Sequence, residues 1–328
     1  MAAKARLPHW ADLVARFKGR KVAVLGDMAV DCYVETRPDR LSREAPVMVL
    51  RYERRRYAAG CAANTVFNLR ALGAQAVPVG ILGKDEAGDA LVEMFRAEGI
   101  PLRGIVRMGS TIVKVRVVSG DVSRPKQQVL RVDVEPEGGY GAAALASLRG
   151  RAVGLRGHEA VIVSDYGYGA ATPEYAALLR ATNPDARLSV DSRDRLLDYK
   201  EADLLTPNEA EAAALLRRRV ESDAEAELAA REMRRRAGAK AVLLTRGNRG
   251  MVLFDGKAHA LPIAGPSEIV DPTGAGDTVV AVATLARIAG ADHLAAARLA
   301  NFAAGVTVMK TGAACVTPAE LLEAAARG

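Results

Sequence analysis

Thiols and imidazoles are scarce in this 328-residue chain: three cysteines (Cys32, Cys61, Cys315) and four histidines. An odd cysteine count with no metal-ligand spacing argues against a disulfide scaffold or a zinc site, and fits a reduced, cytoplasmic setting. His9, His158, His259 and His293 fall in no Ser/His/Asp or Cys/His arrangement, so triad hydrolysis is not indicated. Aromatic residues make up 4% and do not interleave with the basic runs, which removes stacking platforms for single-stranded nucleic acid. Long apolar runs are missing too. The stretch from Thr278 to Ala289 is broken by Arg287, short of the roughly 18 residues a spanning helix needs. The opening residues, Met1 to Pro8, lack the apolar region of a secretory signal. No membrane partner is expected, and no repeat of solenoid length is present.

What is there describes a globular protein: 50% apolar and 26% charged residues, enough for one large α/β domain with a small appendage. Basic residues exceed acidic ones by seven. That surplus fits either a nucleic-acid surface or an arginine-rich composition with a pocket for phosphorylated ligands. Three triple-arginine runs supply much of it: Arg54–Arg56, Arg217–Arg219 and Arg234–Arg236. The last two lie in Ala/Glu/Leu-rich stretches expected to be solvated helix faces, so no nucleic-acid partner is expected.

Short apolar runs alternate with helical periodicity: residues 21–26, 77–83, 160–164, 188–191, 204–206 and 241–245 read as strands. The pattern predicts a mainly parallel sheet covered by helices on both faces. Ligands bind such sheets at the carboxyl ends of strands, where Asp27, Asp165, Asp191, Asn208 and Thr245 fall. Two segments break the rhythm, and residues 112–118 and 127–134 alternate as an antiparallel hairpin with one wet face. The expected division is an α/β body (1–31, 58–108 and 136–328) with a small β lid (32–57 and 109–135).

The most informative string is Val270-Asp271-Pro272-Thr273-Gly274-Ala275-Gly276-Asp277-Thr278, entering a long apolar helix. Free backbone N–H groups of Gly274, Ala275 and Gly276, added to the positive end of the helix dipole, make an anion site. Asp277 falls in the first helical turn, facing that anion; the plain alternative is a helix cap. No Gly-x4-Gly-Lys-Ser/Thr loop exists, so phosphate is handled some other way.

That string resembles the C-terminal signature of the PfkB (ribokinase-like) carbohydrate kinases. Gly60-Cys61-Ala62-Ala63-Asn64 with Asn68, Leu72-Gly73 and the Gly80–Gly88 segment is similar to the N-terminal one. Thr206-Pro207-Asn208-Glu209-Ala210-Glu211 resembles the family's Asn-x-x-Glu element, and Thr245-Arg246-Gly247 with Gly250 its nucleotide turn. The resemblance runs from about Lys21 to Thr317 and implies a ribokinase-like three-layer α/β body with a β-sheet lid. It implies ATP and Mg2+ as cofactors, with K+ as a further ion. Asp277 would be the base toward the sugar hydroxyl, and Gly274, Ala275 and Gly276 the anion hole. Asn208, Glu211, Thr245, Gly247 and Asn301 would bind nucleotide, with Glu211 toward magnesium through water. Asp271 and Thr273 would face the monovalent cation.

Sugar contacts are expected from Asp27, Asp31, Gly60, Asn64 and Asp165, with turn-capping the lesser alternative for Asp27 and Asp31. A narrower resemblance is to the subgroup that phosphorylates D-glycero-β-D-manno-heptose 7-phosphate at C1. It rests on residues 26–31, 40–47, 111–116, 130–133, 164–169 and 204–208. Lys114, Arg116 and Arg131 would then meet the phosphate of the sugar. Tyr168 stands where that subgroup has lysine, and Asp191-Ser192-Arg193-Asp194 where it has Asp-Pro-Lys-Gly. The rivals are another PfkB kinase (ribose, fructose, fructose 6-phosphate, ketodeoxygluconate or a nucleoside) and a sugar-binding regulator without catalysis. Relatives also pair their lids, so a homodimer of a free-standing kinase is expected.

Overall fold

Alternate side chains of the first strand, β1 (Lys21–Gly26), face opposite sides of a sheet. Val22 and Val24 join one apolar cluster, Ala23 and Leu25 another, and all four are fully buried. A strand with both faces dry belongs in the middle of an α/β sandwich. The structure, a computed structural model, describes residues 9–120, 126–265 and 269–327.

Helix α1 (Trp10–Ala15) precedes β1, and β2 (Met28–Leu41) and β3 (Met48–Cys61) follow it. Next come α2 (Ala62–Ala71), β4 (Gln75–Leu82), α3 (Glu86–Ala97), β5 (Gly104–Arg107), β6 (Ile112–Ser119) and β7 (Gln127–Val134). The middle of the chain forms α4 (Ala142–Gly154), β8 (Ala160–Asp165), α5 (Pro173–Thr182), β9 (Arg187–Ser192) and β10 (Leu204–Leu205). After them stand α6 (Glu209–Leu216), α7 (Asp223–Ala237), β11 (Ala241–Thr245), β12 (Met251–Phe254) and β13 (Ala258–Leu261). The chain closes with α8 (Ala275–Ile288), α9 (His293–Thr307) and α10 (Pro318–Arg327).

Nine strands form the large sheet in the order β13-β12-β11-β10-β9-β8-β1-β4-β5. Pairing is parallel from β11 to β5, while β12 and β13 extend the edge antiparallel. Helices α1, α2, α3, α8, α9 and α10 cover one face, and α4 to α7 the other. The mainly parallel α/β architecture expected from the sequence is the one observed.

Helix α7 shows how local chemistry sets the boundaries. Ser222 and Glu225 form a reciprocal capping box, Gly238 ends the helix at φ 65°, and Arg234–Arg236 meet the negative end of the dipole. The run Arg217–Arg219 differs from expectation: Arg217 terminates α6 in a left-handed conformation (φ 51°), so the run leaves the helix instead of lying along its face. Arg54–Arg56 lie on β3.

The second sheet has the order β3-β2-β6-β7. β2 pairs antiparallel with β3 and parallel with β6; β6 pairs antiparallel with β7, as the alternating pattern predicts. On this chain every residue of β7 is exposed, including Val129, Leu130, Val132 and Val134.

Candidate active site

Gly274 takes a left-handed conformation (φ 80°) and starts α8, so Asp277 enters the first helical turn. A side chain at Gly274 would also displace Asn64, because its Cβ would stand 2.5 Å from Asn64 Nδ2. Asp277 is buried and accepts three side-chain bonds: Asn64 Nδ2 on Oδ2 at 2.9 Å, Thr65 Oγ1 on Oδ1 at 2.9 Å, and the Tyr166 hydroxyl on Oδ1 at 3.3 Å. Burial pushes its carboxyl up to about 6, even though these donors and the Lys114 charge pull the other way. The group is therefore ionised at neutral pH yet far more basic than an exposed aspartate.

The surroundings of Asp277 join segments far apart in the chain. Lys114 is buried, places Nζ 2.7 Å from Cys61 Sγ and lies over the Tyr166 ring at 4.7 Å. Arg193 approaches the same ring at 5.4 Å. Asp191, from the end of β9, lies beside Gly276, whose Cβ would stand 3.7 Å from its Oδ2. Burial holds Asp191 toward its neutral form, and the charges of Glu211, Asp277 and Asp165 push the same way against Arg193. Glu211 is raised by burial as well. Two crowded oxygen donors with Arg193 opposing both suit a hard divalent cation shared with phosphate oxygens. Among the described residues no three His, Cys, Asp or Glu side chains form a protein cage for a metal.

The other expected sugar contacts divide. Asp27 is fully buried, and its two oxygens accept the backbone N–H groups of Tyr166 (2.9 Å), Tyr168 (3.2 Å) and Ala170 (3.0 Å). Its carboxylate anchors the 166–170 loop, which is the turn-capping alternative. Asp165 is held similarly, by Nη2 and Nε of the Arg195 guanidinium (2.7 and 3.2 Å), Ser192, Tyr199 and the Gly167 N–H. Asp31 lies four residues into β2's sheet pairing, buried, with Arg116 Nη1 2.5 Å from its Oδ1. That contact is short without hydrogen-bond alignment. Gly60 faces it, since a Cβ there would stand 3.0 Å from Asp31 Oδ1. Arg116 stands opposite Arg131 in the β6–β7 register, and the Arg131 guanidinium holds Asp133 through two bonds of 2.7 Å. Asn64, expected at a sugar hydroxyl, spends its amide N–H on Asp277.

The nucleotide candidates cluster around the β11 end. Asn208 bridges in parallel to Thr245 and forms a capping box with Glu211, each reaching the other's backbone N–H at 2.9 Å. Gly247 follows in a left-handed turn (φ 56°), and Asn301 donates to the Pro262 carbonyl at 2.7 Å. Asp271 accepts the N–H groups of Thr273 (2.9 Å) and Gly312 (2.8 Å). Beside Gly312 the buried Tyr33 hydroxyl has no partner, and a Cβ at Gly312 would stand 2.8 Å from it. An orphaned oxygen next to a carboxylate fits a monovalent cation.

Thr65 carries no sequence signal beyond following Asn64, and the Tyr166 hydroxyl contact spans 111 positions. Tyr33 is another residue that spacing alone does not mark. All three are found only through tertiary contacts.

The chain matches the sequence profile of the pfkB family carbohydrate kinases over residues 20–130 and 170–320. It is 38% identical over 322 residues to a "Bifunctional protein HldE" of Pseudomonas aeruginosa, and 40% identical over 324 residues to one of Caulobacter vibrioides. Each alignment covers 95% of this chain but only 65% and 64% of the relative. Among solved structures, phosphofructokinase-2 of Escherichia coli in complex with substrates and products superimposes with a TM-score of 0.77 at 18% identity, covering 94% of this chain and 99% of the other. Ribokinase of Arabidopsis thaliana complexed with ribose and ATP gives 0.68 at 21% identity, covering 93% and 98%.

Proposed function

We propose, from the premise that the chain belongs to the pfkB family of carbohydrate kinases and is an ATP-dependent sugar kinase, that its acceptor is D-glycero-β-D-manno-heptose 7-phosphate. The product would be the 1,7-bisphosphate, a precursor on the way to ADP-heptose and lipopolysaccharide. The observation that carries the catalytic part is Asp277: buried, raised to about 6, and seated in the first turn of α8 behind Gly274-Ala275-Gly276.

In this reading the C1 hydroxyl oxygen bonds to the γ-phosphorus, its proton passes to Asp277, and the bond to the β-phosphate oxygen breaks to release ADP. The N–H groups of Gly274, Ala275 and Gly276 meet the charge on the transferred phosphoryl group. Asn64, Thr65 and Tyr166 keep the carboxylate aimed. Asn208, Glu211, Thr245, Gly247 and Asn301 hold nucleotide, and Mg2+ at Asp191 and Glu211 would offset phosphate charge. K+ would lie between the Asp271–Thr273 segment and Gly312. Lys114, Arg116 and Arg131 supply the cations a sugar phosphate needs, with Asp31 beside them. The exposed apolar residues of β7 support pairing of two lids into a homodimer, and the reduced thiols fit work in the cytoplasm.

A second reading is a pfkB kinase of another sugar. It draws support from Tyr168, whose hydroxyl donates to Glu135 at 3.0 Å where the heptose subgroup has a lysine. ADP release with Mg2+ and ATP separates the two across heptose 7-phosphate, fructose 6-phosphate, fructose, ribose, ketodeoxygluconate and nucleosides. Turnover confined to the heptose phosphate supports the first reading. Efficient turnover of another acceptor overturns it, and turnover retained by Asp277→Asn to within about tenfold of the parent protein overturns the base assignment.

A further inference from the structure

A second concavity lies at the opposite, amino end of the large sheet. A cavity of about 410 Å3 opens between the start of β1, the end of α2, the α3–β5 turn and the α4–β8 loop. Its ionisable lining is Lys21, Arg70, Arg103, Arg156 and His158, with no carboxylate in the wall. Along β1, Lys21 and Gly26 are separated by roughly 16 Å of strand, so this cavity is not the phosphoryl-transfer site.

The cations are placed but not neutralised. Arg70 donates Nε to the Glu98 carbonyl at 2.7 Å, and its Nη2 lies over Gly99. Arg151 holds the Arg103 carbonyl at 3.1 Å, fixing that backbone and adding another positive charge. The side chains of Lys21, Arg103 and Arg156 make no ion pair with any described residue. The adjacent acid, Glu159, is already engaged: Oε2 meets Arg20 at 2.5 Å and Oε1 accepts the Lys21 backbone N–H at 3.2 Å. His158 is buried, and burial together with the Arg103 charge holds its ring toward the neutral form.

The neighbouring cavity shows the usual solution to such crowding. There Asp203 pairs with Arg187 at 2.8 Å, Arg287 at 3.2 Å and Lys240 at 3.4 Å. Like charges gathered without a counter-charge repel one another, and the first cavity has none of its own.

We propose that the Lys21/Arg70/Arg103/Arg156/His158 cavity binds a small anion carrying two or more phosphate groups. Guanidinium forks on separate segments donate to phosphate oxygens from several directions, which suits an anion with more than one phosphate group. The site is independent of the sugar acceptor.

The test uses the whole protein and inorganic pyrophosphate, titrated calorimetrically in 0.15 M salt with a non-hydrolysable ATP analogue saturating the nucleotide site. Arg103→Ala/Arg156→Ala should weaken pyrophosphate binding by about tenfold or more. The control Arg217→Ala/Arg219→Ala, at exposed arginines elsewhere, should leave it unchanged. Equal affinity in the cavity variant, equal loss in both variants, or equal binding of sulfate would each overturn the proposal. Arg156→Gln, a single exposed substitution, repeats the measurement should the double variant fold poorly. ADP release on the sugar panel is read separately, so failure here leaves the kinase reading standing.

Discussion

At the carboxyl ends of β1, β8 and β9 stand Asp27, Asp165 and Asp191, with Asp277 facing them from α8. At the amino end of the same sheet stand Lys21, Arg103 and Arg156. Asp27, Asp165 and Asp277 are buried and surrounded by donors, with Asp191 half-buried beside them, whereas these cations are exposed and make no ion pair with a described residue. Two aspartates within the acidic end refine the contrast. Asp27 and Asp277 are both pushed up to about 6 by burial. Asp27 receives backbone N–H groups, which fix a loop. Asp277 receives side chains from α2 and that loop, which leaves a carboxylate aimed but free to take a proton. Burial raises both groups; under the proposed assignment, the kind of donor separates the carboxylate that fixes a loop from the one that takes the proton.

The largest way to break the comparison is Asp277→Asn. Turnover should fall by about 10²–10⁴-fold, while Arg103→Ala/Arg156→Ala at the other end should stay within about twofold; ADP release reads both. Next, Asp27→Ala leaves three N–H groups without an acceptor, that of Ala170 buried and those of Tyr166 and Tyr168 half-buried. It should cost on the order of 3 kcal/mol of stability in urea unfolding, and loosen the loop that carries Tyr166.

A pH series sharpens the same pair. Both carboxyls are raised in the folded state above their ordinary 3.8, so the folded protein takes up protons first as pH falls. From pH 7 to 5 each group should add about 1 kcal/mol of stability. Turnover should meanwhile fall toward tenfold per unit below about 6, as Asp277 loses its capacity to accept a proton. Activity and melting temperature moving in opposite directions would be the signature; a parallel fall would reject it. The smallest effect is expected at Cys61, whose backbone sits at φ 51°, a region that favours glycine. Cys61→Gly should gain up to about 1 kcal/mol by thermal unfolding, offset by the lost contact with Lys114.

Much of this was legible because parallel α/β sheets write themselves into sequence as short apolar runs ending in polar residues. Lys21–Gly26, Ala160–Asp165 and Ala241–Thr245 are such runs, and the glycine string before Asp277 marks its own helix start. Other parts leave no such mark. The strands Met251–Phe254 and Ala258–Leu261 are four residues long, too short for periodicity to register. β2 carries Asp31, Glu35, Arg37, Pro38 and Asp39 within fourteen residues, and its strand character comes from pairing on both sides. The anchoring of Asp27, the aim of Asn64 and the role of Thr65 are tertiary contacts between segments that spacing cannot connect.

The parallel pairing of β2 with β6 has a consequence for how the chain acquires its shape. Ala29 meets Ile112 only after β3, α2, β4, α3 and β5 have intervened in the chain, and β4 and β5 belong to the large sheet. A parallel neighbour cannot be recruited by a tight turn. The small sheet therefore inherits the slow, non-local closure of the whole molecule, and its centre forms late, while the β2–β3 and β6–β7 hairpins can form early on their own. Excised segments of the small sheet should not assemble its four strands, and translation must pass β6 before that sheet can close.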